Sequence, residues 1–179
     1  MGRGRSFRRL IEQCFAPLRK SQRTTIHDLI QGLLYGGKVG LANIARGMRD
    51  ATTVRYRIKR LARFVTNDRI PLTAVFNSLI HWLLSPSCRV VVALDWTDVG
   101  EFKLLVASVV VARRALPLAW HAMRKGEFSE RTKSRNHAEE QIIEFLRDAL
   151  AGHDWVLVAD RGFARADLFK KLTKWGFAT

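Results

Sequence analysis

Apolar side chains recur at helical spacing through the front of the chain and gather into short continuous runs further on. Between Thr24 and Tyr35 they fall at Ile26, Leu29, Ile30, Leu33 and Leu34, the three-and-four spacing of one helix face. Thr24 or Thr25 is the expected cap of this helix, and Gly36-Gly37 its stop. A second, short helix is predicted from Val39 to Met48 through Leu41, Ile44 and Ala45. A third runs from Thr52 to Val65, with Val54, Ile58, Leu61 and Phe64 or Val65 on one face. Pro71 opens another apolar helix, which ends near Ser85-Pro86. That Pro/Ser stretch is the expected boundary between a helical domain, residues 1–86, and a second domain, residues 87–179.

Beyond Ser87 the period changes. The run from Arg89 to Trp96, with Val90, Val91, Val92 and Leu94, reads as a strand buried on both faces. Further strands are predicted at 102–111, 116–123 and 155–160, with helices at 136–150 and 165–175 and a last strand starting at Gly176. Strands in sequence, then helix, strand and helix, give an α+β or α/β fold: a mixed sheet with flanking helices behind a helical front.

Charge is divided unevenly over this plan. The net charge is +15, from 31 Lys+Arg against 16 Asp+Glu. Residues 1–70 carry 16 of the basic and 4 of the acidic side chains, so the excess sits in the helical front. A polyanion is the partner this implies there, and double-stranded DNA comes first because phosphate neutralisation supplies most of non-specific binding. An anionic membrane surface is the competing partner. The helix predicted over 52–65 carries Arg55, Arg57, Lys59, Arg60 and Arg63 opposite its apolar face. This set is the candidate DNA contact of a helix-turn-helix-like module; a solvated basic face on an ordinary bundle is the alternative.

Other classes are disfavoured. No run of about 18 apolar residues suggests a membrane span. The basic terminus is not followed by an apolar leader region. Cys14 and Cys88 stand far apart without a CxxC pattern, which argues for a reducing, cytoplasmic setting and against a zinc site. His121, His137 and His153 share no ligand spacing.

Two acids stand out by position. Asp95 is expected to close the strand VVVALD, and Asp160 the strand WVLVAD. Carboxylates at neighbouring strand ends meet at a sheet rim, and paired carboxylates bind Mg²⁺ or Mn²⁺ through oxygen. The plain alternative is that each Asp caps the turn that follows it. Asp98 and Glu101 are further acids near the first, Thr97 is a hydroxyl beside it, and Arg161 is a candidate phosphate contact.

The words ALDWTDVGEF, RALPLAWHAMRKGE and VLVADRGFARADLFKKLTKWGF resemble the bacterial insertion-sequence transposases with a DDE catalytic domain, in the branch with a late Tyr-Arg-Glu-Lys helix signature. The segment LANIARGM followed by TTVRYRIKRLARFV is similar to the basic helical domain that precedes the core in that family. The resemblance covers roughly residues 24–179, and DRGF is its most specific word. It implies a ribonuclease H-like fold for the sheet, with Asp95 and Asp160 as the first two catalytic and metal-binding acids. It also implies two Mg²⁺ or Mn²⁺ ions in a complete enzyme, phosphodiester cleavage and strand transfer on transposon ends, and a homodimer in a synaptic complex as an assembly to consider. The third carboxylate of the family pattern is missing, since Asp167 is the only later acid and comes too early. The expectation is therefore a truncated transposase, inactive alone and lacking the C-terminal part of an incomplete ribonuclease H-like domain. The alternatives are a non-catalytic DNA-binding remnant competing for element ends, and a metal-dependent nuclease on the same fold.

Overall fold

A computed structural model describes residues 3–84, 89–111, 113–126 and 134–178, with backbone alone for 3–6. The chain divides into two compact units, Met1–Trp82 and Leu83–Thr179. The Ser85-Pro86 stretch in which the sequence places the boundary lies outside the described residues, as does Cys88.

The first unit is helical: α1 (Arg3–Cys14), α2 (Lys20–Gly36), α3 (Leu41–Gly47), α4 (Val54–Val65) and α5 (Leu72–Leu83). Helix α1 was not predicted, because its apolar positions are masked by the arginines around them. Helix α2 starts a turn earlier than its threonines suggest, with Gln22 Oε1 accepting from the Arg19 N–H at 2.9 Å. Thr24 and Thr25 therefore cap nothing. Their hydroxyls donate back to the Lys20 and Ser21 carbonyls, each at 3.0 Å. The helix ends as expected, with Gly37 in the left-handed region (φ 65°). Thr53 caps α4, accepting from the Tyr56 N–H.

Buried Ile44, Ala45, Met48 and Leu61 form a core cluster against which Leu29, Leu33, Leu41 and Ile58 pack. Helices α2 and α3 meet there almost backbone to backbone. A Cβ on Gly47 would lie 2.4 Å from the Gly32 carbonyl oxygen and 2.7 Å from the Gly36 nitrogen. A Cβ on Gly32 would lie 2.4 Å from the Ile44 carbonyl oxygen. Gly32, Gly36 and Gly47 are thus the condition for this crossing, and no larger residue fits without moving a helix.

The second unit holds a four-stranded sheet of β1 (Val90–Val99), β2 (Phe102–Val111), β3 (Arg114–Arg124) and β4 (Trp155–Ala159), in the order β3-β2-β1-β4. Strands β1, β2 and β3 form an antiparallel meander, and β4 adds parallel to β1 after the crossover helix α6 (Arg135–Ala149). Helix α7 (Ala166–Lys174) follows. This is a mixed α+β arrangement, as the sequence predicts. Two details differ. Strand β1 does not stop at Trp96 but runs to Val99, because its pairing with β2 continues through Val99↔Phe102 to a turn at Gly100 (φ 57°). The strand expected from Gly176 is absent from residues 176–178; Gly176 takes φ 87° and turns the chain out of α7.

The pleat sorts the sheet into two faces. Val90, Val92 and Leu94 of β1 and Leu105, Ala107 and Val109 of β2 are buried. Helix α6 brings Ala138, Ile142, Ile143, Leu146 and the following Leu150 to the core, and α7 brings Leu168 and Leu172. An apolar cavity of about 330 Å³ is lined jointly by Leu94, Leu157, Ile143 and Leu168, which places both helices on this one face. On the other face Val91, Val110, Trp120 and Val158 remain 37–50% exposed.

Gly47→Ala should lower the stability of the helical unit by about 1–3 kcal/mol, the usual cost of forcing a methyl into a filled contact. Gly37→Asn, at a position where Asn tolerates the left-handed conformation, should cost much less. Urea unfolding followed by far-ultraviolet circular dichroism measures both. Equal midpoints for Gly47→Ala and the parent chain would refute the close crossing.

Candidate functional site

The two acids singled out in the sequence come together through strand register. Strands β1 and β4 pair in parallel as Val90↔Trp155, Val92↔Leu157 and Leu94↔Ala159, a constant offset of 65 positions. Asp95 and Asp160 are separated by that same offset, so they occupy the next step of the pairing, where β4 ends. Strands in a sheet lie roughly 4.8 Å apart, and residues at matched positions share a face. Trp155, Leu157 and Ala159 match the covered face of β1; Asp160 follows where β4 ends, beside the apolar cavity that Leu94, Leu157 and Phe163 also line. Both residues are exposed. Asp95 does not close its strand, as expected, but lies within it. It is at the rim only of the β1–β4 pair.

The local chemistry around Asp160 follows from the word DRGF. Asp160 caps a short 3₁₀ turn, Arg161–Phe163, its Oδ1 accepting from the Gly162 N–H at 2.8 Å. The turn-capping alternative is thus true of Asp160, and it leaves Oδ2 outside that hydrogen bond. A Cβ on Gly162 would sit 3.0 Å from Asp160 Oδ1, so glycine suits the tight turn. Phe163 is buried and anchors the turn, while Arg161 is exposed.

Carboxylate oxygens are hard donors of the kind Mg²⁺ and Mn²⁺ take, and two of them share one rim here. Among the described residues, no group of three or more His, Cys, Asp or Glu side chains is placed to hold a metal ion. Asp98 is directed elsewhere: its carboxylate bonds Lys103 Nζ at 2.9 Å and pairs with Lys125 Nζ at 3.2 Å, and these two ammonium groups hold it below the usual carboxylate range. Thr97 and Glu101 are exposed near the β1–β2 turn. Burial, with a smaller contribution from His137, pushes the His121 imidazole below its ordinary value.

The sequence missed Glu139. It is a carboxylate only 3% exposed, on the covered side of the sheet. Its Oε1 accepts from Trp96 Nε1 at 2.8 Å, and its Oε2 forms an ion pair with Arg165. The signal was present: Glu139 is in helical phase with Ile142, Leu146 and Leu150, an acid set within an apolar stripe.

In the helical unit the basic set of α4 separates into two groups. Arg55, Lys59 and Arg63 are exposed, with Tyr56 beside them. Arg57 and Arg60 are not on that face. Arg57 Nε donates to Asp50 Oδ1 at 2.7 Å, and its Nη1 donates to the carbonyls of Met48 at 2.7 Å and Ala45 at 3.2 Å. Arg60 Nη2 bridges Asp50 at 2.6 Å and Asp28 at 2.8 Å. These two arginines tie α4 to α2 and to the 48–53 connection, because Asp28 and Asp50 lie on that side of the helix. Searched against protein-family models, curated proteins and solved structures, the chain matches none.

The Asp50 carboxyl experiences opposed influences. Partial burial pushes it upward, but the Thr52 hydroxyl and N–H and the Arg57 and Arg60 guanidinium groups hydrogen-bond its ionised form and hold it well below the usual range. A depressed carboxylate stabilises the fold in full above its unfolded value, about 3.9, and the contribution is lost as pH falls through the folded value. Asp50→Asn should therefore cost about 2 kcal/mol near neutral pH, in line with lost hydrogen bonds to a charged group. Below pH 4 the gap between variant and parent should narrow. Urea titrations of both chains at pH 7 and pH 3 check this, and a gap that widens on acidification would show the sign to be wrong.

Proposed function

We propose that this chain is a DNA-binding protein of the insertion-sequence transposase type, with Asp95 and Asp160 as two carboxylates of a divalent-metal phosphodiester site. The observation that supports the reading is that Asp95 and Asp160 each follow directly on Leu94↔Ala159, the last pair of the parallel β1–β4 ladder. A mixed sheet with an antiparallel meander and a parallel strand entered through a helix is compatible with the ribonuclease H-like architecture that the resemblance implies. Asp95 and Asp160 would hold Mg²⁺ or Mn²⁺ through carboxylate oxygen, and such ions activate a hydroxyl for in-line attack on phosphorus and stabilise the leaving oxygen. Arg161, exposed one residue after Asp160, would meet a DNA phosphate beside the acids.

The helical unit would hold double-stranded DNA through α4, as the second helix of a helix-turn-helix-like module. Arg55, Lys59 and Arg63 recur every four residues along one exposed edge, a span of roughly 12 Å at 1.5 Å per residue. The unit's Asp28 and Asp50 pair with the neighbouring Arg57 and Arg60 and not with this edge. A second reading, DNA binding without catalysis, is favoured by one observation: among the described residues, no group of three or more His, Cys, Asp or Glu side chains is placed to hold a metal ion.

Replacing Arg55, Lys59 and Arg63 together by Gln should weaken binding to duplex DNA and lower the salt slope by roughly 3, near one unit per phosphate contact. Asp95→Asn and Asp160→Asn should leave DNA affinity within about twofold and abolish Mn²⁺ binding at the rim. Fluorescence anisotropy across a salt series and Mn²⁺ titration read the two effects separately. Loss of DNA affinity in the Asp variants equal to that in the triple variant would rule out this division between the units.

A further inference from the structure

We propose that Glu139 is the positioning residue that holds Asp95 and Asp160 in mutual register, an inference that rests on reading that pair as a divalent-cation site. Its two carboxylate oxygens reach two different segments. Oε1 accepts from Trp96 Nε1 at 2.8 Å, and Trp96 is the residue after Asp95. Oε2 pairs with the Arg165 guanidinium, which also donates to the Asn136 carbonyl at 3.2 Å.

Each link transmits orientation over a short, stiff path. Successive strand side chains point to opposite faces, so fixing Trp96 against α6 obliges Asp95 to face the open side. A one-residue slip would turn Asp95 into the core, and the Trp96–Glu139 bond opposes that slip. Arg135 lies over the Trp96 ring at 5.0 Å and holds the same side chain from above. On the other strand, Arg165 is joined to Asp160 by consecutive turns: the Phe163 N–H bonds the Asp160 carbonyl at 3.2 Å, and the Arg165 N–H bonds the Phe163 carbonyl at 2.9 Å. Glu139 thus clamps both rim segments from beneath while touching neither carboxylate. It is itself on the opposite face and engaged, so it is no substitute for a third ligand.

The test is Mn²⁺ affinity of the full chain by electron paramagnetic resonance, read beside thermal stability. Glu139→Gln keeps an acceptor for Trp96 but removes the charge opposite Arg165. Trp96→Phe removes only the other bond, and so remains informative should Glu139→Gln fail to fold. Each should weaken Mn²⁺ binding about 10-fold, the scale of lost support to metal ligands. Ile142→Val, one turn along the same helix face, lowers stability without touching the clamp and should leave Mn²⁺ affinity unchanged. Glu139→Gln and Trp96→Phe with parental Mn²⁺ affinity, while Asp95→Asn has lost it, would overturn the inference and leave the site reading standing. A loss in Ile142→Val matching that in Glu139→Gln would overturn it too, by making the effect one of stability. A parent chain that binds no Mn²⁺ removes the site reading, and the inference with it.

Discussion

The parallel pairing of β1 with β4 is the constraint on which the second unit turns. The meander β1-β2-β3 forms through local turns, but β4 arrives only after a helix, and its register has no hairpin to set it. In the register it takes, Trp155, Leu157 and Ala159 lie beside the buried Val90, Val92 and Leu94. Since the side-chain period of a strand is two, that match also decides which residues are left on the far side. Asp95 and Asp160 reach one rim as a consequence of how the covered face packs.

The helical unit answers a different problem, that of placing many cations on a small bundle. Asp28 and Asp50 take up Arg57 and Arg60, and in doing so they convert two like charges into a brace between α2, α4 and the 48–53 connection. Arg55, Lys59 and Arg63 then remain as an exposed cationic edge without crowding from the other two. The close crossing of α2 and α3 through Gly32, Gly36 and Gly47 makes this brace geometrically achievable, since a wider crossing would carry Asp28 away from Arg60.

Much of this was legible in the sequence, and the exceptions have physical reasons. Continuous β-branched runs announced β1, β2 and β4, and the apolar phase of α6 and α7 was read within a residue or so. The 65-residue spacing of the acids was visible, though its equality with the strand register was not, because register is a property of packing. The basic face of α4 was drawn too broadly. Arg57 lies four residues before Leu61, in phase with the buried stripe, and a nearby acid was the cue that it turns inward. Gly36 read as part of the helix stop, when its spacing of four from Gly32 on one helix face is the mark of close approach. Composition alone does not tell which of the adjacent Glu139 and Glu140 faces in, so Glu139 does not stand out in the sequence as the chemistry-bearing acid it is.

The part-buried ion pair of Glu139 with Arg165 bears on why the second unit is built this way. Burying two charges costs solvation that their attraction often only offsets, and apolar pairs of similar volume frequently serve stability as well. Ile142 and Leu146, on the same stripe, show that this core accepts apolar side chains. A carboxylate at position 139 is therefore better explained by direction than by stability. An apolar side chain would fill the space but would not distinguish one strand register from the next, whereas two oxygens bonded to Trp96 and Arg165 are satisfied in a single arrangement. Directional bonds beneath the sheet thus fix the geometry of two exposed acids at the end of the β1–β4 pair, which have little packing of their own to hold them.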